Sequence, residues 1–493
     1  MLEAVPWLWF EWLVIGLYSF FLLFIFLYSL VQLDLVLRYR QRPGRRLVGL
    51  AVDWPMVTVQ LPMYNERYVA ARLIDRVAAL DYPGDRLEIQ VLDDSTDGTR
   101  EIIEERVAHW SAKGVDVVHV RRASREGFKA GALAHGLQRA KGEFVAIFDA
   151  DFLPGCDFLS QTVRHFQDPQ VGVVQTRWGH LNADYSPLTA MQAFGLNAHF
   201  TVEQGGRNAG DCFINFNGTA GVWRSAAIVD AGGWSSDTLT EDLDLSYRAQ
   251  LKGWRFVFRE DVEAPAELPA EMNALKTQQY RWTKGAAECA VKNLPAVLRS
   301  DRIGVHAKVH AFFHLMNSFI FISVFASALL SVPLMFVKQR HTLDSVMFMG
   351  GVVFVASLFL LMLFYWTSSR RSEFPPSVGG FLIRFFSFLS LSMGMSLHNA
   401  VAVFEGYVGR RTPFVRTPKF SIVKGEGSWV GSGYRVKRVS KLVWGEVLLS
   451  SVFFWAVWKG VSIGDMGLLP FHLLLAVGFL SVGGLSVKHA FQG

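Results

Sequence analysis

A chain of 493 residues with 51% hydrophobic and only 19% charged residues is too apolar for a wholly water-exposed globular protein and points to a lipid-embedded part. The formal net charge of +6 would suit nucleic acid, but much of the basic excess flanks apolar segments, where Lys and Arg mark the cytoplasmic side of a membrane, so nucleic acid is excluded as a partner. The three cysteines, Cys156, Cys212 and Cys289, show no paired spacing and no histidine at metal-site intervals, which excludes a disulfide framework and reads as buried or free thiols in a reducing cytosol.

The first apolar stretch, Trp7 to Val31, is too long for a signal-peptide core and carries no small-residue cleavage site, so residues 1–37 are expected to hold a transmembrane helix. Arg38, Arg40, Arg42, Arg45 and Arg46 follow it and place that end, with the domain beyond, in the cytosol. Residues 38–308 form a more polar block, long enough to bury a core of its own.

Within the block, short apolar runs alternate with helical patterns: Met56 to Leu61 then Tyr68 to Leu80, Leu87 to Leu92 then Thr99 to Trp110, Val115 to Val120 then Gly127 to Ala140, and finally Glu143 to Phe148. This alternation predicts right-handed crossovers and a mostly parallel α/β sheet covered on both faces, with ligands bound at the carboxyl ends of its strands. Polar groups stand at those ends: Tyr64, Asn65 and Glu66 after the first strand, Asp93 and Asp94 after the second, and Asp149-Ala150-Asp151 after the fourth. No glycine-rich phosphate loop follows the first strand, which argues against a dinucleotide fold or a P-loop.

Carboxylates repel a diphosphate unless a divalent cation with oxygen ligands bridges them, and Asp149 with Asp151 can present such ligands to Mg2+ or Mn2+. Taken alone, this Asp-x-Asp reads as readily as a solvated turn. Farther on, Thr238-Leu239-Thr240-Glu241-Asp242 opens the helical pattern Leu243 to Lys252. Thr240 there suits a helix cap, and Asp242 suits a general base that accepts the proton of an attacking sugar hydroxyl. In Gln278-Gln279-Tyr280-Arg281-Trp282, Gln278 and Arg281 share a helix face with Trp282 beside them. An Arg can neutralise a leaving diphosphate and a ring can stack on a sugar; a membrane-interface aromatic with its flanking cation is the plainer alternative.

Residues 309–493 offer further apolar stretches: His310 to Val337, Ser345 to Trp366, Gly380 to Val403, Leu442 to Trp458 and Leu468 to Val487. If all five cross, the basic loop between Arg410 and Lys441 is exported, against the positive-inside bias. Arg384, His398 and Asn399 interrupt the third stretch, so residues 380–403 are read as an interfacial or re-entrant segment, with a sixth span as the alternative. About four transmembrane helices and a cytosolic basic loop, 404–441, then make up this region.

Together these residues resemble the processive membrane glycosyltransferases of family 2, the group of cellulose, hyaluronan and chitin synthases, whose ordered pattern is Asp, Asp-x-Asp, Thr-Glu-Asp and Gln-x-x-Arg-Trp. The wording between about Met56 and Gly285 is similar to plant cellulose synthase-like A and C proteins and their bacterial relatives, as in Leu61-Pro62-Met63-Tyr64-Asn65-Glu66, Lys129-Ala130-Gly131-Ala132-Leu133 and Phe216-Asn217-Gly218-Thr219-Ala220-Gly221. The resemblance implies a glycosyltransferase-A fold between transmembrane helices and inverting transfer of a hexose from UDP-glucose or GDP-mannose. Tyr64, Glu66, Asp93, Asp94 and Lys129 would hold the donor nucleotide with Asp149, and Asp149 and Asp151 would hold Mg2+ or Mn2+. Asp242, within Thr240-Glu241-Asp242, would be the base, and Gln278, Arg281 and Trp282 would line the acceptor site.

The resemblance further implies a multi-pass protein, in the inner or plasma membrane if bacterial, that meets a nucleotide-sugar donor, a polysaccharide acceptor, the lipid bilayer and, as candidates, export subunits. Phe414-Val415-Arg416-Thr417-Pro418-Lys419-Phe420 is similar to the gating loop of cellulose synthases; a basic linker is the alternative reading. Bacterial cellulose synthases carry a cyclic-dinucleotide receptor domain after the membrane region, whereas this sequence stops just past its last span, so regulation of that type is not expected. Its fewer spans leave open a non-processive enzyme that puts one sugar on ceramide, diacylglycerol or polyprenyl phosphate. A transporter or scaffold without catalysis predicts eroded acids, and none is missing.

Overall fold

A computed structural model describes residues 7–42, 54–341, 344–372, 374–423, 426–434 and 439–492. Arg45 and Arg46 of the basic flank, and residues 424, 425 and 435–438 of the basic loop, lie outside the described residues.

The polar block builds a sheet of seven strands in the order β3-β2-β1-β4-β6-β5-β7. They are β1 (Val57–Met63), β2 (Leu87–Asp93), β3 (Val117–Arg121), β4 (Phe144–Ile147), β5 (Val171–His180), β6 (Gly221–Arg224) and β7 (Arg255–Ala266). β1 pairs parallel with β2 and β4, β2 with β3, and β5 with β7, while β6 runs antiparallel between β4 and β5. The four strands expected from sequence are β1 to β4. β2 is buried along its whole length, as continuous apolar runs in two-sided sheets are.

Each face of the sheet has its own core. Leu73, Ile74 and Val77 of the helix Ala70–Ala78, with Ile103 and Phe158, cover one face; Leu133, Ile228, Leu245 and Trp223 cover the other. The chain leaves β1 for β2 on one side and returns to β4 on the other, a reversal that opens a crevice at the carboxyl ends of β1 and β4.

Among the described residues, five helices are long and apolar enough to cross a membrane: Trp9–Gln41, Phe319–Arg340, Phe348–Ser369, Leu442–Ser462 and Leu469–Phe491. A sixth crossing would need the pair Val378–Gly394 and Ser396–Tyr407, which is bent by 52°, so this stretch has the broken shape of a re-entrant segment or an interrupted span. Trp9, Trp12, Phe348, Phe359, Trp444 and Trp458 stand exposed on these helices, an apolar surface suited to lipid rather than water.

Two expected boundaries move. The first helix continues to Gln41, and its last turns pack Val36 and Tyr39 against Ala198 and Val202 of the sheet domain, so the junction at residues 37 and 38 falls inside a helix. The stretch His310 to Val337 is not one helix: Val305–Leu315 ends before Asn317 and Ser318, and the long apolar helix starts at Phe319. Asn and Ser compete for backbone hydrogen bonds and favour such breaks. His310 and His314 are buried on polar partners, Asp34 and Tyr247, instead of facing lipid.

Candidate active site

A cavity of about 210 Å3 fills the crevice at the strand ends. Four acids on one side of it each meet a cation. Lys129 Nζ lies 2.5 Å from Asp149 Oδ1 and donates to the Gly218 carbonyl at 2.8 Å. Asp151 Oδ2 accepts from Lys419 Nζ at 2.7 Å and from the Glu267 backbone N–H at 3.0 Å. Arg416 forms a bidentate pair with Glu66 at 2.8 and 2.7 Å, and Arg122 another with Asp94 at 3.0 and 2.5 Å. Arg125 lies 3.4 Å above the centre of the Tyr64 ring. Burial pushes Glu66 up to about 7 despite Arg416. Burial alone would lower Lys129, but Asp149, Glu241 and Asp242 around it raise its pKa.

Asp93 behaves differently from its neighbours. Its buried carboxylate does not line the cavity; it accepts from the Ser95 N–H at 2.8 Å and contacts His119 Nε2 at 2.9 Å. Ser95 Oγ in turn accepts from the Asn65 N–H, so Asp93 shapes the loop beside Tyr64 and Glu66.

Glu241 and Asp242 open the helix Glu241–Leu251. Thr240 occupies the N-cap position, yet no side-chain cap bond forms, and its hydroxyl meets Cys289 Sγ at 3.4 Å. The turn is held by the helix Met272–Arg299: Glu288 accepts from the Leu239 N–H at 2.7 Å, and a Cβ at Gly285 would stand 2.6 Å from the Thr240 methyl, so only glycine lets the two backbones approach. Gly218, with φ +80°, faces Asp242, and a Cβ there would lie 3.0 Å from Asp242 Oδ2. Burial, reinforced by the Glu241 carboxylate, raises Asp242 to about 7, where a carboxylate works as a general base.

Gln278, Arg281 and Trp282 project into the same cavity from Met272–Arg299, and Trp282 lies 6.4 Å from Trp178, centre to centre. Arg281 donates to Thr417 Oγ1 at 2.9 Å and sits 4.8 Å over the Phe414 ring.

Residues of the segment Phe414 to Phe420, similar in sequence to a gating loop, complete the site with Glu267 and Arg125, to which the sequence assigns no role. Arg416, Thr417 and Lys419 line the cavity beside Glu66 and Asp151, and their loop is fastened by Glu267, whose carboxylate accepts from the N–H groups of Phe420 and Ile422. Glu267 directly follows β7, so the strand-end rule would have flagged it had β7 been legible. Arg125 follows no sequence signal.

A second cavity, about 420 Å3, shares Trp178, Asn217, Thr240, Asp242, Gln278 and Trp282 with the first. A third, about 300 Å3 and mostly apolar, shares His199, Glu203, Phe321, Tyr365 and Ser392 with the second and lies among the apolar helices. Asp149 and Asp151 supply only oxygen donors on the cavity wall, a set that fits hard cations such as Mg2+ and Mn2+.

Residues 55–285 match the family described as Glycosyltransferase like family 2. Glucomannan 4-beta-mannosyltransferase 1 of Oryza sativa subsp. japonica is 34% identical over 466 residues, covering 90% of this chain and 83% of that protein. Glucomannan 4-beta-mannosyltransferase 9 of Arabidopsis thaliana is 34% identical over 409 residues, covering 79% and 73%. Among solved structures, the mannosyltransferase PcManGT from Pyrobaculum calidifontis, in complex with GDP-Man and Mn2+, aligns with a TM-score of 0.54 at 19% identity over 81% of this chain and 100% of that one, a likeness of fold.

Proposed function

The chain belongs to the cellulose synthase-like glycosyltransferases of family 2 and is a hexosyltransferase; on that premise we propose that it transfers hexosyl units, mannosyl foremost, from a nucleoside-diphosphate sugar onto a growing β-linked polysaccharide, with inversion. The observation that carries this reading is the place of Asp242, on the wall shared by the donor cavity and the cavity that continues toward the apolar helices. A base at that junction faces an acceptor on one side and an anomeric carbon on the other.

Asp242 takes the proton of the acceptor hydroxyl as that oxygen attacks in line, and a single base opposite the leaving group suffices for inversion without a covalent intermediate. Arg281 and Lys129 line the donor cavity and take up charge on the departing diphosphate. Asp149 and Asp151 would hold Mg2+ or Mn2+, which supplies further neutralisation of that diphosphate. Trp178 and Trp282 offer faces on which a terminal sugar stacks. Arg38, Arg40 and Arg42 at the end of the first helix favour a cytosolic catalytic domain. The names of the rice and Arabidopsis relatives support mannosyl transfer in a 4-beta linkage.

One observation favours a second reading. The third cavity is lined by Leu22, Ile25, Val324 and Leu361 and would accommodate a lipid as well as a sugar chain. The test is purified protein in nanodiscs with Mg2+ or Mn2+ and labelled GDP-mannose or UDP-glucose, with products separated by size and by organic extraction. High-molecular-weight label released by a β-mannanase or β-glucanase is expected; label confined to the lipid phase would replace the polymer reading with transfer to a lipid.

A further inference from the structure

Away from the cavity, Cys212 meets two histidines one turn apart, His306 and His310, where the catalytic domain, the helix Val305–Leu315 and the far end of the first apolar helix join. Cys212, His306 and His310 each offer one ligand atom, and these atoms all lie within 4.8 Å of one another. Cys212 Sγ is 3.7 Å from His306 Nδ1. Two ligands on one tetrahedral zinc, with Zn–S of about 2.3 Å and Zn–N of about 2.0 Å, stand roughly 3.5 Å apart, so this pair is already near ligand spacing.

The opposite ring nitrogens are engaged. Asp34 Oδ2 lies 3.2 Å from His306 Nε2 and 2.8 Å from His310 Nε2. One carboxylate that accepts from both Nε2–H groups fixes each tautomer and leaves each Nδ1 with its lone pair, as carboxylates do behind metal-bound histidines. His310 Nδ1 is buried and has no hydrogen-bond partner among the described residues, an uncompensated polar atom that native folds rarely keep.

We propose that Cys212, His306 and His310 bind one zinc-class divalent ion, with Asp34 as the carboxylate that orients both histidines. A thiol and two imidazoles suit zinc rather than Mg2+ or Mn2+, which separates this site from Asp149 and Asp151. The ion enters past His306, the exposed member, and as the sulfur coordinates, the Cys212 thiol proton passes to solvent. Bound there, it ties the segment after the helix Gln204–Ala209 to the helix Val305–Leu315 and holds the catalytic domain against its apolar helices.

Full-length protein in detergent, stripped with a chelator and dialysed, is titrated with Co2+ and then Zn2+. The expected result is a thiolate-to-cobalt charge-transfer band that saturates at one equivalent and is bleached by zinc. The band is absent in Cys212→Ser and needs at least tenfold more cobalt in His306→Ala, whose exposed ring can be removed without opening the core. Zinc also raises the thermal midpoint of the wild type but not of His306→Ala. Absence of the band in the wild type, or a band of equal strength in both variants, overturns the proposal.

Discussion

On one side of the cavity four acids each have a cation, Lys129 on Asp149, Lys419 on Asp151, Arg416 on Glu66 and Arg122 on Asp94, while Glu267 is held by backbone N–H groups. On the acceptor side Glu241 and Asp242 stand next to each other, and neither forms an ion pair with a described residue. The difference separates two tasks. Paired acids can exchange a lysine for a metal ion or a substrate group with little change in net charge, whereas two unpaired acids repel, and that repulsion, added to burial, holds a proton near neutrality. In the proposed reaction, binding charge and moving a proton thereby fall to different acids of one cavity.

The largest effect belongs to the unpaired acids: Asp242→Asn removes the proton acceptor and lowers transfer by roughly 10^3-fold, read as product formed per unit time. Next comes Arg281→Ala, which withdraws a cation from the leaving diphosphate and lowers kcat by about 100-fold, with a smaller change in KM. The pH profile follows. With Asp242 at about 7, its ionised fraction falls about tenfold per pH unit below that value, so kcat/KM rises with pH up to about 7 and then levels. Glu241→Gln removes the repelling neighbour and moves the limb to lower pH; a limb that stays in place breaks the comparison. The smallest effect is among the paired acids, where Lys419→Ala frees Asp151 and lowers the Mn2+ needed for half-maximal donor binding roughly fivefold, in line with about 1 kcal/mol for a partly exposed pair.

Much of this was legible in the sequence because it rests on local pattern. The alternation from Met56 to Phe148 gave β1 to β4 and placed Glu66, Asp94, Asp149 and Asp151 at strand ends, and the structure gathers these with Thr240, Glu241, Asp242, Gln278, Arg281 and Trp282 around one cavity. β5 to β7 were missed, since their pairing is long-range and partly antiparallel, and Val171–His180 gives no helix-strand alternation to read. Asp93 looked equivalent to Asp94, but strand pleating turns adjacent side chains to opposite faces, and Asp93 points away from the cavity. The covering loop, Phe414 to Phe420, reads in sequence as a gating loop or a basic linker; that Arg416 and Lys419 pair with Glu66 and Asp151 spans more than 260 residues of separation, which no local periodicity records. The meeting of Cys212 with His306 and His310 was invisible for the same reason.

The division between the two sets of acids is tested most directly by the donor dissociation constant of Asp242→Asn, measured by calorimetry with GDP-mannose and Mn2+ on the same preparation whose transfer rate has been lost. A base that never touches the nucleotide leaves that constant within about twofold of the wild type. Donor affinity lost in parallel with transfer would place Asp242 among the donor ligands and contradict the assignment.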